Sequence, residues 1–166
     1  MTLLRVGFLL VGLLGVSQGE YLNIELDLQD LDCPSCAQFL EKKFSRHPAV
    51  ERVVFEDEPR VLKLALKPEN RLRLMQLFDS VQQSGYALRQ VRVVVRGIPD
   101  MGLSEPQLRI EGVENVRLTD PQKLLHAVKP GIVELKGLAQ LVAHEGQRMA
   151  VIEVRSVQQA VAGSKP

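Results

Sequence analysis

Between Tyr21 and Gly97 the apolar residues alternate between a period of two and a period of about 3.6, and that rhythm restricts the fold more than any other feature of the chain. "YLNIELDL" sets Leu22, Ile24, Leu26 and Leu28 on one side of a strand. "AQFLEKKFSRHPAV" then spaces Cys36, Phe39, Leu40 and Phe44 as a helix, which Pro48 ends. "VERVVFEDE" and "VLKLALKP" read as two strands joined by a turn around Asp57 to Arg60. "ENRLRLMQLFDSVQQSGY" carries Leu72, Met75, Phe78 and Val81 along a second helical stripe stopped by Ser84 and Gly85. "ALRQVRVVVRG" is a last strand. The order β-α-β-β-α-β predicts an α+β fold, a ferredoxin-like sandwich with two helices on one face of a four-stranded antiparallel sheet. Its first loop would lie at an edge open to solvent.

Residues 98–106 combine Gly and Pro without periodicity and read as a linker. Residues 107–158 alternate in short segments around one short helix, "PQKLLHAV", and predict a small β-rich domain of barrel-like kind, followed by a loose tail over 159–166. At the other end, residues 1–19 join one early cation, Arg5, to an apolar run from Val6 to Val16 and small residues at Ser17 and Gly19. That is the grammar of a signal peptide, and the run is shorter than the roughly 20 residues that span a bilayer. Cleavage near Gly19 would place a monomeric protein in the periplasm or outside the cell. With 21 basic and 20 acidic residues interspersed, the chain lacks the net basic surface that nucleic acid requires.

The only two cysteines, Cys33 and Cys36, stand in "LDCPSC" at the predicted start of the first helix. Backbone N–H groups at a helix N-terminus favour thiolates, and Pro34, which has no N–H, suits that entry. Two thiolates three residues apart can hold an ion that accepts near-linear coordination, Cu(I) or Hg(II), whereas Zn(II) wants four ligands. An oxidising compartment can instead close the pair into a disulfide. Metal clamp, redox dithiol and structural disulfide are therefore all open readings of the same four residues.

"LDCPSC" after a strand, Leu40, Phe44 and Val50 at core spacing, and "SGYAL" at the end of the second helix together resemble the heavy-metal-associated domain family, over about Tyr21 to Gly97. The family includes copper chaperones and periplasmic mercury-binding proteins. Its motif is G-M-x-C-x-x-C; here Asp30 stands for the glycine and Leu31 for the methionine. The resemblance implies a ferredoxin-like domain over residues 20–97, with Cys33 and Cys36 as metal ligands and Tyr86 beside the metal loop. Asp32 resembles the D-C-x-x-C variant of zinc, cadmium and lead pumps, in which the carboxylate can act as a third ligand and opens the site to Zn(II), Cd(II) or Pb(II). Its other reading, the favoured one, is a solvated acid at the helix N-terminus, stabilised by the helix dipole. The expectation is an exported protein that carries one heavy-metal ion, Cu(I) or Hg(II) preferred, to a membrane metal transporter. Its rivals are a non-catalytic envelope adaptor with disulfide-bonded or vestigial cysteines, and a thiol–disulfide exchange protein. His47 reads as a structural residue near the helix end, and His126 and His144 stand apart from the cysteines and from each other. No Ser/His/Asp order, phosphate loop or carboxylate pair points to an enzyme.

Overall fold

The computed structural model describes residues 19–29, 34–58, 60–102, 104–125 and 129–160. The first half contains β1 (Glu20–Leu28), α1 (Pro34–Ser45), β2 (Val50–Glu56), β3 (Val61–Leu66), α2 (Leu74–Gln83) and β4 (Leu88–Asp100). β1 lies between β3 and β4, antiparallel to both, and β2 flanks β3. The second half adds β5 (Gln107–Ile110), β6 (Glu114–Thr119), the one-turn helix α3 (Gln122–Leu125), β7 (Val133–His144) and β8 (Gln147–Gln159).

The expected ferredoxin-like βαββαβ sandwich followed by a small β-rich domain is corrected here. The chain is mostly β, and β4, β5, β6, β8 and β7 close into a five-stranded barrel to which β1, β3 and β2 are added. The cause is the length of β4. Thirteen residues long, it outruns β1, and β5 takes up its last rungs, Ile98↔Arg109 to Asp100↔Gln107. β7 covers its other edge from Val91↔Ala139 to Gly97↔Val133. Residues 98–100, read as linker, are thus the end of a strand. Antiparallel β4-β5-β6, then a helix, then a hairpin that closes the ring through antiparallel β4–β7 and parallel β6–β8 is the wiring of an OB-type barrel. Such an architecture assigns no function by itself.

One apolar core runs through both halves, from Ile24, Leu26, Leu40 and Phe44 to Val93, Val95, Leu108, Leu135 and Ile152. On β1 the burial does not follow strict alternation: Tyr21 is fully buried and Leu22 only partly. The register against β4 shifts between Tyr21 and Asn23, a β-bulge that turns Tyr21 inward. Buried Asn70 anchors that point, its Nδ2 donating to the Tyr21 carbonyl at 2.7 Å and the Lys67 carbonyl at 2.8 Å. α2 ends in a Schellman motif, with Gly85 at φ 81°, its N–H on the Gln82 carbonyl and the Tyr86 N–H on that of Val81. Along α2 the buried stripe is Leu74, Leu77, Phe78 and Val81, so Met75, expected in the core, is only partly covered.

Tyr21 also ties the halves together, because its hydroxyl donates to Glu114 Oε1 at 2.9 Å. Burial first, then the charge and hydrogen bond of Glu114, push the phenol well above its ordinary value of 10.0. The folded state therefore keeps a proton that the unfolded chain loses near pH 10. This contribution is complete below about pH 10 and disappears as pH rises, at about 1.4 kcal/mol per pH unit until the folded phenol ionises. Urea unfolding between about pH 9 and 11 should show that slope, and Tyr21→Phe should remove it. An unchanged slope in the variant would assign alkaline unfolding to other groups.

Candidate functional site

α1 opens at Pro34, whose missing N–H is harmless in a first turn. Ala37, Leu40 and Phe44, spaced i, i+3 and i+7, bury one face of the helix in the core. The opposite side carries Phe39, expected inside but 54 % exposed, one turn beyond Cys36. Glu41 accepts the Phe55 N–H of edge strand β2 at 2.9 Å, and Lys43 donates to the Ser80 carbonyl at the end of α2 at 2.8 Å. Both contacts hold the later turns of α1, and buried Ala37 seats its first turn on the core.

Cys36 sits in that first turn, partly buried and packed against the core. It is disulfide-bonded, and the chain contains one other cysteine, Cys33. Cys33 and Asp32, the other two expected metal ligands, lie outside the described residues with Asp30 and Leu31. On the strand side, the Gln29 N–H donates to the Ala87 carbonyl at 2.8 Å, which sets the start of the β1–α1 loop beside the turn holding Tyr86.

The expectation of a metal-binding group is not met among the described residues, where no three or more His, Cys, Asp or Glu stand together, and of the three expected ligands only Cys36 belongs to those residues. His47 supplies no ligand to the cysteines: its Nδ1 accepts the Ala49 N–H at 3.2 Å, and burial lowers its pKa from 6.5. The neutral ring that this acceptor role requires is the form that folding favours. His144 is exposed at the end of β7, and His126 lies outside the described residues. Glu56, the last residue of β2, pairs with Lys63 at 2.7 Å.

Two features could not be read from local sequence. On the open face of the sheet Arg96, with 12 % of its side chain exposed, lies 3.2 Å from Glu134 and 3.8 Å from Glu20, joining β1, β4 and β7. On the other side a cleft of about 580 Å³ opens between α2, the first residues of β4 and the β7–β8 hairpin, with Tyr86 in its wall. Both assemble residues from both halves of the chain, so only the closed barrel creates them.

No helix among the described residues is long and apolar enough to cross a membrane. The chemistry the cysteine site can perform in its oxidised form is exchange: a thiolate can attack one sulfur of the disulfide and release the other. Comparison with protein-family models, with curated proteins and with solved structures found no match to this chain.

Proposed function

We propose that the protein is an exported thiol protein that works through Cys33 and Cys36 by exchanging their disulfide with the thiols of a partner. The observation that carries this reading is the disulfide at Cys36, in the first turn of a helix locked against the sheet. A partner thiolate attacks one sulfur of the pair; the intramolecular S–S bond breaks and the other sulfur leaves as a thiolate. A second partner thiolate then attacks the mixed disulfide. The partner ends oxidised and the pair reduced, with two electrons transferred and no other reactant needed. Phe39 offers that partner an exposed aromatic anchor one turn away. Export rests on the signal-like residues 1–19 and on the stability of disulfides in oxidising compartments.

The deciding measurement is the reduction potential of the pair in glutathione buffers, read by alkylation of free thiols. Exchange proteins lie at roughly −120 to −270 mV, whereas structural disulfides fall below about −300 mV. A value in the upper range, together with a mixed disulfide trapped in Cys36→Ser, is expected. A value below about −300 mV would make the bridge structural and leave the adaptor as the better reading. If the reduced protein instead takes up one equivalent of Cu(I) or Hg(II), or of Zn(II), Cd(II) or Pb(II) in a manner lost with Asp32→Ala, and transfers no disulfide, the cysteines belong to a metal carrier.

A further inference from the structure

The cleft beside α2 lies where two paired strands part. The β4–β7 ladder begins at Val91↔Ala139. Before that rung, Leu88 and Gln90 of β4 are held by β1, at Leu28↔Leu88 and Asp27↔Gln90. Beyond it, Gln140 to His144 of β7 are held by β8, from Gln140↔Val151 to His144↔Gln147. The β4–β7 ladder stops at the Val91↔Ala139 rung, and the opening lies beyond it, between the start of β4 and the end of β7. Phe78 and Val81 of α2 form its roof, and Tyr86, Leu88, Val91 and Leu141 supply the remaining apolar wall. At about 580 Å³ it lies within the roughly 300–1,000 Å³ of ordinary small-molecule sites.

The charge in this cleft has one sign. Arg89 and Arg148 are the charged residues that line it, and no acidic residue does. Their carboxylate partners, Asp27 at 3.4 Å and Asp79 at 3.1 Å, stand outside the lining. The two arginine side chains are 62 % and 51 % exposed, so these pairs are weak surface contacts that a better-placed carboxylate can replace. Arginine suits that replacement, because its planar fork binds a carboxylate through two hydrogen bonds.

We infer that this cleft is a binding site for a small amphipathic carboxylate, an apolar chain or ring seated between α2 and the splayed strands with its acid group on Arg89 and Arg148. An extended polypeptide fits less well, since the Val91↔Ala139 rung blocks the path between the strands. The inference does not depend on the cysteine chemistry.

Decanoate, kept below its micelle concentration, is the probe. The chain has two tyrosines and no tryptophan, and Tyr21 is fully buried while Tyr86 lines the cleft, so tyrosine emission reports on the site. Saturable one-site binding of decanoate to the full-length protein is expected. Decanol should bind about tenfold more weakly, the loss of about one charge-assisted hydrogen bond, and decylamine more weakly still. Arg89→Gln with Arg148→Gln should bring decanoate down to the level of decanol. Gln140→Glu, an exposed substitution that leaves the core untouched, should weaken decanoate and spare decanol. Equal binding of the acid and the alcohol, indifference to both variants, or no saturable change at all would overturn the assignment. Saturable binding of an acidic peptide in place of decanoate would overturn it as well.

Discussion

Replacing Glu114 with alanine is expected to remove about 3 kcal/mol of stability, although the residue belongs to a short barrel strand far from α1. Its Oε1 does two things at once. It accepts the Tyr21 hydroxyl at 2.9 Å and the Leu74 N–H at 2.9 Å. Leu74 is the first residue of α2, and the preceding Arg73 makes no side-chain capping bond, so the cap for this helix comes from another strand. A carboxylate there also faces the positive end of the helix dipole. In the alanine variant a fully buried phenol loses its acceptor, at a cost of roughly 1–3 kcal/mol, and the helix loses a cap worth about 0.5–2 kcal/mol. Glu114→Gln keeps an acceptor oxygen and should lose only about 1 kcal/mol. Urea unfolding of the two variants, combined with Tyr21→Phe in a double-mutant cycle, separates the parts: phenylalanine should restore the phenol's share and leave the cap's share missing. A Glu114→Ala protein within about 0.5 kcal/mol of the parent would mean that water or another residue replaces both contacts.

The same contact shows why parts of this fold were legible and others were not. The strand and helix periods between Tyr21 and Gly97 are local, and the sites of β1, α1, β2, β3, α2 and β4 can be read from them. So can the turn after His144, where Glu145 and Gly146 adopt φ of 49° and 77°. What local pattern cannot carry is a choice made by a distant partner. Leu22 keeps the alternation that would bury it, yet the bulge held by Asn70 buries Tyr21 instead. Phe39 lies at helical spacing from Cys36, but the core covers only the arc through Ala37, Leu40 and Phe44. The barrel is closed by β4–β7 and by parallel β6–β8, pairings between segments tens of residues apart that leave no periodic trace. At the cysteine site the spacing and the helix start were readable, while the oxidation state at Cys36 is a covalent fact that spacing leaves open. The cleft was invisible for the reason the barrel was: its walls come from α2, β4, β7 and β8.

Closure of the barrel should depend on two glycines within strands, Gly97 of β4 and Gly137 of β7. Gly137 lies at the register shift between β7 and β8, where a β-carbon would press against Ile152 Cγ2 and stand 2.6 Å from the Glu153 carbonyl oxygen. Gly97, where the last strand of the first half was expected to stop, would place one 2.7 Å from the Arg109 carbonyl oxygen and 2.8 Å from Leu108 Cγ. In both cases the obstacle includes backbone of the neighbouring strand, which cannot rotate aside as a side-chain end can. Glycine within a strand marks such a close approach, and at Gly97 the composition that suggests the start of a linker signals two strands in contact. Gly137→Ala and Gly97→Ala should each cost about 3 kcal/mol, the upper part of the range for overpacking a well-filled core. The expected loss is larger at Gly137, where the added atom meets core and backbone together. Gly102→Ala is the control: its β-carbon would lie 3.6 Å from Asp100 Oδ1, an ordinary contact, and its stability should change by less than about 0.5 kcal/mol. Comparable urea midpoints for all three variants would show that the strands can move apart at these points and that closure does not rest on the glycines. A selective loss at Gly97 and Gly137 would instead identify the two seams through which β4 joins the barrel and β7 joins β8.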